Sequence, residues 1–224
     1  MEPYPMEAFM KYVAVLFDLD GTLLDTTDLI IKSFQHTCGI HLNRQISKEE
    51  VVPYFGKTLR AGLEQLGPDC VEQLIETYRA YNLDHHDAMV EIFPGVISTI
   101  QRLASQGTKL AVVTSKTVKT AVRGLKLFEI DHYFTAVVGL ESTPKHKPDP
   151  TPVLLALQLL QIEPHQALMV GDSPFDLQSA RAAGVDTAAV RWSELPWREL
   201  AAEKPDYTLE NMEDLLELIG GKPD

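Results

Sequence analysis

The feature that most constrains this chain is an apolar run that ends in two carboxylates. Residues 13–17 are all apolar, and Asp18 and Asp20 follow them, one residue apart. Such a run is typical of a buried parallel strand, so both acids are expected at its carboxyl end. Ligands of open α/β sheets bind at that end, and Gly21 permits a backbone turn that strains other residues. The segment indicates a metal-assisted carboxylate nucleophile, because an acidic helix-capping turn would explain one of these acids but not the pair.

Length and net charge limit the number of domains and the kind of partner that the chain can have. The chain has 224 residues, which fits one domain with an insertion or two small domains. It carries 20 Lys and Arg against 32 Asp and Glu, a formal net charge of -12, and no basic cluster. This balance argues against a nucleic-acid partner, since a phosphate backbone would be repelled. A small anionic substrate would need local cations or a bound divalent ion at its site.

The sequence predicts a cytoplasmic protein with no membrane contact. Residues 1–11 lack a basic segment followed by an apolar one, and no run approaches the length that crosses a bilayer. Cys38 and Cys70 are far apart and lack zinc or redox spacing, which favours free thiols in a reducing compartment. The oligomeric state does not follow from the sequence.

The order of predicted elements is that of an α/β protein with a doubly wound, Rossmann-like parallel sheet. Residues 24–84 show helical patterns and no convincing strand, whereas strands and helices alternate from residue 93 onward. The predicted helices of the first part are 25–38, 59–66 and 70–81. The predicted later strands are 109–113, 134–138, 167–170 and 185–190, the helices are 117–128, 150–160 and 174–183, and residues 207–219 add an edge strand and a last helix.

This order predicts a core of residues 1–22 and 90–224 with an inserted α-helical cap domain at residues 23–89. A cap beside the end of the first strand can close over a substrate and exclude water, although it can also be a packing module. His85 and His86 lie near the second crossing between cap and core, and we expect them to be linker residues.

Hydroxyl residues follow the predicted strand 109–113, and lysines precede the predicted helix 150–160. Thr114 and Ser115 can hold phosphate oxygens through hydroxyls and backbone amides, or they can simply cap the next helix. Lys145 and Lys147 precede a proline-initiated helix, where a lysine can neutralise phosphate or remain solvated.

A second apolar strand ends in acids. Asp172 follows residues 167–170 and can ligate a metal together with Asp18, while Asp176, one helical turn later, can orient a neighbour. Hard carboxylate oxygens suit Mg²⁺, and the absence of His and Cys from these strand ends disfavours zinc. Four such signals at the ends of four parallel strands predict a single site.

In the order and content of these four motifs, the chain resembles the haloacid dehalogenase (HAD) superfamily of phosphohydrolases, over residues 13–191. It is most similar to the phosphoglycolate-phosphatase-like branch with a helical cap, and especially to bacterial inorganic pyrophosphatases of the PpaX type. Residues 28–34, 123–127 and 167–174 carry the closer likeness.

The resemblance implies a phosphoryl transfer through a carboxylate. Asp18 would be the nucleophile that forms an aspartyl-phosphate, and Asp20 would protonate the leaving group and then activate water. Mg²⁺ would be held by Asp18, Asp172 and the backbone carbonyl of Asp20.

The resemblance also implies roles for the remaining motifs. Thr114 and the Ser115 amide would bind the transferring phosphoryl group, and Lys147 would stabilise its charge. Lys147 is preferred to Lys145 because it directly precedes Pro-Asp-Pro, as the family's lysine does. Asp176 fits the outer acid of the fourth motif.

The expected reaction is hydrolysis of inorganic pyrophosphate, a small phosphate-containing substrate. Alternatives are phosphoglycolate or another small phosphomonoester, a sugar-phosphate mutase on the same core, and a non-catalytic binding protein, which would have lost an essential residue. In the cap, Lys57 and Arg60 can hold the leaving phosphate of pyrophosphate or the carboxylate of phosphoglycolate, or they can begin a solvated helix.

Overall fold

The structure, a computed structural model, describes residues 11–220. The strands are β1 (Ala14–Phe17), β2 (Leu24–Asp25), β3 (Glu91–Ile92), β4 (Lys109–Val113), β5 (Ala136–Val138), β6 (Ala167–Gly171), β7 (Asp186–Val190) and β8 (Tyr207–Leu209). The α-helices are α1 (Thr27–Leu42), α2 (Lys48–Val51), α3 (Leu59–Leu66), α4 (Val71–Met89), α5 (Val96–Ser105), α6 (Val118–Leu127), α7 (Thr151–Leu160), α8 (Pro174–Ala182), α9 (Trp197–Ala202) and α10 (Asp214–Gly220). Short 3₁₀ turns cover Val52–Tyr54, Pro68–Cys70, Asp131–Tyr133, Leu140–Ser142 and Pro164–Gln166.

Six parallel strands form the main sheet, in the order β5-β4-β1-β6-β7-β8. In the register, Leu16 of β1 lies between Ala111 of β4 and Met169 of β6. The chain builds one half of the sheet from β1 outward and then returns to the other side of β1, so the order reverses there. The crevice at such a reversal is where α/β sheets bind ligands, and the predicted doubly wound sheet is confirmed.

Apolar side chains cover both faces of the sheet. Val15 and Phe17 belong to a buried cluster shared with α5, α6 and α10, whereas Ala14 and Leu16 belong to a cluster shared with α7 and α8. Both faces of β1 are therefore buried, which explains its continuous apolar sequence. Each buried aliphatic or aromatic side chain contributes about 1.5–3 kcal/mol, so the ends of these strands are held on a rigid layer.

Helices α1–α4 fill the segment inserted after the first strand and have an apolar core of their own. Phe34, Leu63, Leu74 and Tyr78 are buried in it. The antiparallel pair β2–β3, with Leu24 opposite Ile92, joins the two crossings between this segment and the sheet. The division of the chain into a cap at 23–89 and a core stays a prediction.

Two expectations near the crossings were wrong. His85 and His86 are not linker residues, because α4 continues to Met89 and buries the His86 side chain. The segment expected to lack strands contains β2. Both differences have a tertiary cause. The strand β2 exists because it pairs with β3, and α4 continues because Arg123 of α6 donates hydrogen bonds to the Asp87 carboxylate at 2.9 and 3.0 Å, which fixes the end of that helix.

The buried His86 predicts a loss of stability on acidification. Burial lowers the pKa of His86 below its usual value, the cations Lys116 and Arg123 lower it further, and Asp87 opposes them. The folded state thus binds fewer protons than the unfolded state, so this contribution is present above the unfolded pKa of about 6.5 and is lost as pH falls from there through the lower pKa of the folded state. We expect the melting temperature to fall more between pH 7.5 and 5.5 for the wild type than for His86→Gln. Equal falls would contradict this role.

Among residues 11–220, no helix has both the length and the apolar character needed to cross a bilayer. Cys38 and Cys70 are free thiols, as expected.

Candidate active site

The end of β1 carries a buried carboxylate held by a buried lysine. Lys147 Nζ lies 2.7 Å from Asp18 Oδ1, 2.5 Å from Asp176 Oδ1 and 2.9 Å from the carbonyl oxygen of Val113. All three charged side chains are buried. The lysine therefore joins the ends of β1, β4 and α8, and Asp18 Oδ2 accepts no hydrogen bond from the residues described.

Burial dominates the ionisation of this cluster. It raises the pKa of Asp18 to about 7, with Asp176 and Asp20 adding to the rise and Lys147 opposing it. Burial alone would lower the pKa of Lys147, but the two carboxylates beside it raise that pKa above its usual value. The lysine therefore stays cationic, and burial makes ionisation of the Asp18 carboxyl less favourable than that of an exposed aspartate.

Asp172 completes a group of three acids that offers a site for a cation. One carboxylate oxygen from each of Asp18, Asp172 and Asp176 lies within 4.8 Å of the others. Both Asp176 oxygens are already engaged, Oδ1 by Lys147 and Oδ2 by the Ser173 backbone amide and hydroxyl. Asp18 and Asp172, in contrast, each keep one carboxylate oxygen that accepts no hydrogen bond from residues 11–220, and such oxygens are the hard donors that Mg²⁺ prefers. Asp176 thus holds Lys147 and Ser173 in place, and its orienting role in the reaction stays a prediction.

A glycine brings the loop after β1 close to Asp172. Gly21 has φ +78°, and a Cβ built on it would lie 2.2 Å from Asp172 Oδ2. A side chain would occupy the space of the carboxylate. Burial raises the pKa of Asp172 well above its ordinary value, and Asp18 and Asp176 raise it further, because three carboxyl groups share one buried place.

Asp20 is held at the side of the site by two hydrogen-bond donors whose contact with it the sequence patterns do not predict. Lys116 Nζ lies 2.6 Å and Thr26 Oγ1 lies 2.7 Å from Asp20 Oδ1. Asp20 Oδ2 has no hydrogen-bond partner among the described residues. The position of Lys116 directly after Thr114 and Ser115 was the available signal that it belongs to the site. Its pairing with Asp20, however, depends on a contact between residues 96 positions apart.

Thr114 and Ser115 follow β4 but do not cap the next helix. Thr117 is the N-cap of α6, since its side chain accepts from the Thr120 amide. Thr114 is buried and accepts from the Lys116 amide, and the Ser115 hydroxyl donates to the carbonyl of Gly56 at 3.2 Å. The helix-cap alternative is therefore excluded, and Ser115 connects the strand end to the inserted helical segment.

A cavity of about 990 Å³ lies between the strand ends and the helices of the insertion, with Asp18, Asp20, Thr114, Ser115 and Asp172 in its lining. The turn at Gly56, with φ +76°, approaches Ser173 closely and brings Lys57 into the lining. Arg60 is not brought there: it is half-exposed, and its guanidinium donates to the Glu72 carboxylate at 2.7 and 3.0 Å. The two cap cations predicted together thus separate in the structure.

Comparisons with known proteins agree with this arrangement. A sequence profile described as haloacid dehalogenase-like hydrolase matches residues 15–190. A protein of Caldanaerobacter subterraneus subsp. tengcongensis named "Putative pyrophosphatase PpaX" is 54% identical over 95% of this chain and 96% of its own length. Pyrophosphatase PpaX of Anoxybacillus flavithermus is 43% identical over 94% of this chain and 98% of its own.

A solved structure is similar over the same range. A crystal structure from Lactobacillus plantarum, described as a "putative phosphoglycolate phosphatase", superposes with a TM-score of 0.86 at 27% identity, over 93% of this chain and all of that one. The chain belongs to the haloacid dehalogenase-like hydrolase family. It is an enzyme, a phosphatase of that family.

Proposed function

We propose that this enzyme hydrolyses inorganic pyrophosphate to phosphate through an aspartyl-phosphate on Asp18, with Mg²⁺ as its cofactor. A small phosphate-containing substrate and a cytoplasmic location are part of the proposal. The observation that carries it is the buried cluster of Asp18, Lys147 and Asp172, in which both acids line the cavity and Lys147 holds Asp18 from outside the lining, with Asp20 beside it.

The free oxygen of Asp18 suits it for nucleophilic attack. Lys147 takes one lone pair of Oδ1, whose other lone pair can face a metal, so Oδ2 is left to form a bond to phosphorus while the bridging P–O bond breaks. Asp20 gives its proton to the leaving phosphate and afterwards takes a proton from the water that hydrolyses the aspartyl-phosphate. The contacts of Lys116 and Thr26 to Oδ1 keep the other oxygen of Asp20 free for this transfer.

Positive charge and hydrogen-bond donors stabilise the transferring group. Lys147 is buried and cationic, and Thr114 together with the Ser115 amide lies in the lining of the cavity. Fixed donors in a site of low water content stabilise developing charge more strongly than water does. When bound by Asp18, Asp172 and the Asp20 carbonyl, Mg²⁺ would neutralise negative charge between nucleophile and substrate.

The cap would close the site and choose the substrate. Ser115 and Gly56 join it to the core, and Lys57 enters the cavity where a leaving phosphate would lie. The names of the curated relatives favour pyrophosphate, and that of the Lactobacillus plantarum protein supports phosphoglycolate as the second candidate.

The test is phosphate release from pyrophosphate, phosphoglycolate and a panel of sugar phosphates, with Mg²⁺ and with chelator. Pyrophosphate should give the highest kcat/KM, and chelator should abolish phosphate release. Preference for phosphoglycolate would keep the chemistry and change the substrate. No phosphate release from any member by the folded protein with Mg²⁺ would contradict the proposal.

The different placements of Lys57 and Arg60 predict different effects of removing each charge. Lys57→Gln should raise KM for pyrophosphate about tenfold, since a charge-assisted hydrogen bond contributes about 1.5–3 kcal/mol. An aryl phosphate, which lacks the second phosphate, should be affected less. Arg60→Gln is the matched control and should change KM for pyrophosphate less than about twofold, because its partners lie outside the cavity. Equal effects of Lys57→Gln on both substrates would contradict the specificity role.

A further inference from the structure

The charges that line the cavity divide into paired and unpaired groups. Except for Asp172, every acid in the lining has a cationic partner. Four lining cations form no ion pair with any residue between 11 and 220. The pairs are Asp18–Lys147, Asp20–Lys116, Asp87–Arg123 and Glu194–Lys48. The unpaired cations are Lys57, Arg79, Lys119 and Lys126.

These cations extend away from the site of phosphoryl transfer. Lys119 and Lys126 lie on the face of α6 that borders the cavity, and α6 begins just after Thr114 and Ser115. Seven residues of helix span ~10 Å, so Lys126 lies two turns beyond Lys119. Arg79 lines the cavity from α4. The unpaired cations thus form a cationic wall of the cavity to which both the cap and the core contribute.

The cavity is also larger than pyrophosphate requires. Its volume of about 990 Å³ is at the upper end of the range for pockets that hold drug-sized ligands, roughly 300–1,000 Å³. In a chain of net charge -12, unpaired cations along a cavity wall mark a place for negative charge beyond the first two phosphates.

We propose that the cavity accepts phosphoanhydrides longer than pyrophosphate, with the terminal phosphate at Asp18 and the further phosphates along Lys119 and Lys126. The proposal rests on the proposed function, because it uses the same nucleophile and the same leaving-group chemistry. A triphosphate chain can be inorganic or belong to a nucleotide, and the two are distinguished by experiment.

The reaction balances with water as the only co-reactant. Asp18 Oδ2 bonds to the terminal phosphorus, the terminal bridging P–O bond breaks, and the shortened chain leaves with a proton from Asp20. Water then attacks the aspartyl-phosphate, Asp20 recovers a proton, and phosphate and the free Asp18 carboxylate result. Inorganic triphosphate gives pyrophosphate and phosphate, and the pyrophosphate is a substrate in turn.

The test compares inorganic triphosphate, ATP, pyrophosphate and an aryl phosphate, with excess Mg²⁺, for the wild type and for Lys119→Gln/Lys126→Gln. Phosphorus NMR identifies the products. The control is Lys32→Gln/Arg102→Gln, which removes the same charge from exposed positions outside the cavity lining. We expect the wild type to hydrolyse triphosphate with a kcat/KM within about tenfold of that for pyrophosphate. The cavity double variant should raise KM for triphosphate about tenfold, more than for pyrophosphate, and the control double variant less than about twofold.

Each outcome assigns the failure to one proposal. Hydrolysis of pyrophosphate without hydrolysis of either triphosphate, or equal effects of the two double variants, overturns this inference and leaves the proposed function standing. Hydrolysis of triphosphate without pyrophosphate overturns the proposed substrate and supports the cationic wall. Hydrolysis of inorganic triphosphate but not ATP restricts the class to inorganic chains, and hydrolysis of both extends it to nucleotides.

Discussion

Asp18→Asn is expected to lose phosphate release by ~10⁴-fold or more, the scale on which enzymes lose activity when a covalent nucleophile is removed. The amide is nearly isosteric and can still accept from Lys147, so the geometry around it is kept while the nucleophilic oxygen is lost. Phosphate release from pyrophosphate measures the loss. Asp84→Asn, whose side chain is 82% exposed, is the matched control and should retain wild-type rates.

Stability separates loss of chemistry from loss of fold. Burial raises the pKa of Asp18 to about 7 in the folded protein, well above the unfolded value of about 3.9. Ionisation therefore costs folding free energy, and the cost grows as pH rises from about 4 to about 7. In chelator at pH 8, Asp18→Asn should melt no lower than the wild type, because the asparagine removes that cost and Lys147 keeps Asp176. If Asp18→Asn is inactive and also unfolded, its loss of activity comes from loss of the fold, and the role of the wild-type carboxylate is structural rather than chemical.

A second variant addresses the intermediate directly. Asp20→Asn removes the group that activates water, so an aryl phosphate, whose leaving group needs little protonation, should phosphorylate the enzyme faster than water releases it. A burst of aryl alcohol and a phosphorylated protein in the mass spectrum are expected. Asp18→Asn/Asp20→Asn should show neither. A phosphorylated protein in that double variant would place the nucleophile elsewhere.

Gly21→Ala is expected to abolish Mg²⁺-dependent activity, by about 10²-fold or more, although Gly21 contributes no functional group. Its added Cβ would lie 2.2 Å from Asp172 Oδ2 and 2.7 Å from Asp172 Cγ. Asp172 must therefore move, and misplacing a group in an active site by about 1 Å can cost about 10²-fold in rate. Phosphate release across a Mg²⁺ titration measures the loss, which added Mg²⁺ should restore only in part.

Gly107→Ala provides the matched control. Gly107 has φ +82°, nearly the same as Gly21, but nothing lies within 4 Å of a Cβ built there. Both substitutions should destabilise the fold by about 1–2 kcal/mol, because a left-handed conformation strains any residue with a Cβ. Only Gly21→Ala should lose activity. Similar activity losses in both would attribute the effect to backbone strain alone, and unaltered activity in Gly21→Ala would contradict the placement of Asp172.

The sequence predicted the architecture and the polar residues at the ends of β1, β4 and β6 because both depend on local patterns, whereas Lys147 lies nine residues beyond the end of β5 rather than directly at a strand end. A strand buried on both faces must be apolar throughout, and polar residues that directly follow it have few places to lie except the carboxyl edge of the sheet. The boundaries were less accurate where contacts extend an element, as in α4, which continues past residue 81 to Met89. The polar sequence of that last part is helical because it packs on α6.

The candidate site divides in the same way. The types of residue at the ends of β1, β4 and β6, together with the lysine before α7, were sufficient to predict carboxylates, hydroxyls and a lysine in one place. The role of Lys116 was not predictable, because its side chain reaches Asp20 across the crevice rather than along the chain. Nor could the sequence distinguish Lys57 from Arg60, which lie only three positions apart. The fold places Lys57 in the cavity lining and pairs Arg60 with Glu72.

The amino-acid sequence by itself thus determined the sheet, the family and the position of Asp18 at the end of β1, because these follow from periodic apolar patterns and from residues adjacent to them. The tertiary structure alone decided the partners of the charges: Lys147 with Asp18 and Asp176, Lys116 with Asp20, Arg60 with Glu72, and His86 buried beneath α6. The physical reason is range. Strand and helix patterns depend on neighbours along the chain, whereas an ion pair depends on the distance between side chains that only the packing of the folded chain establishes.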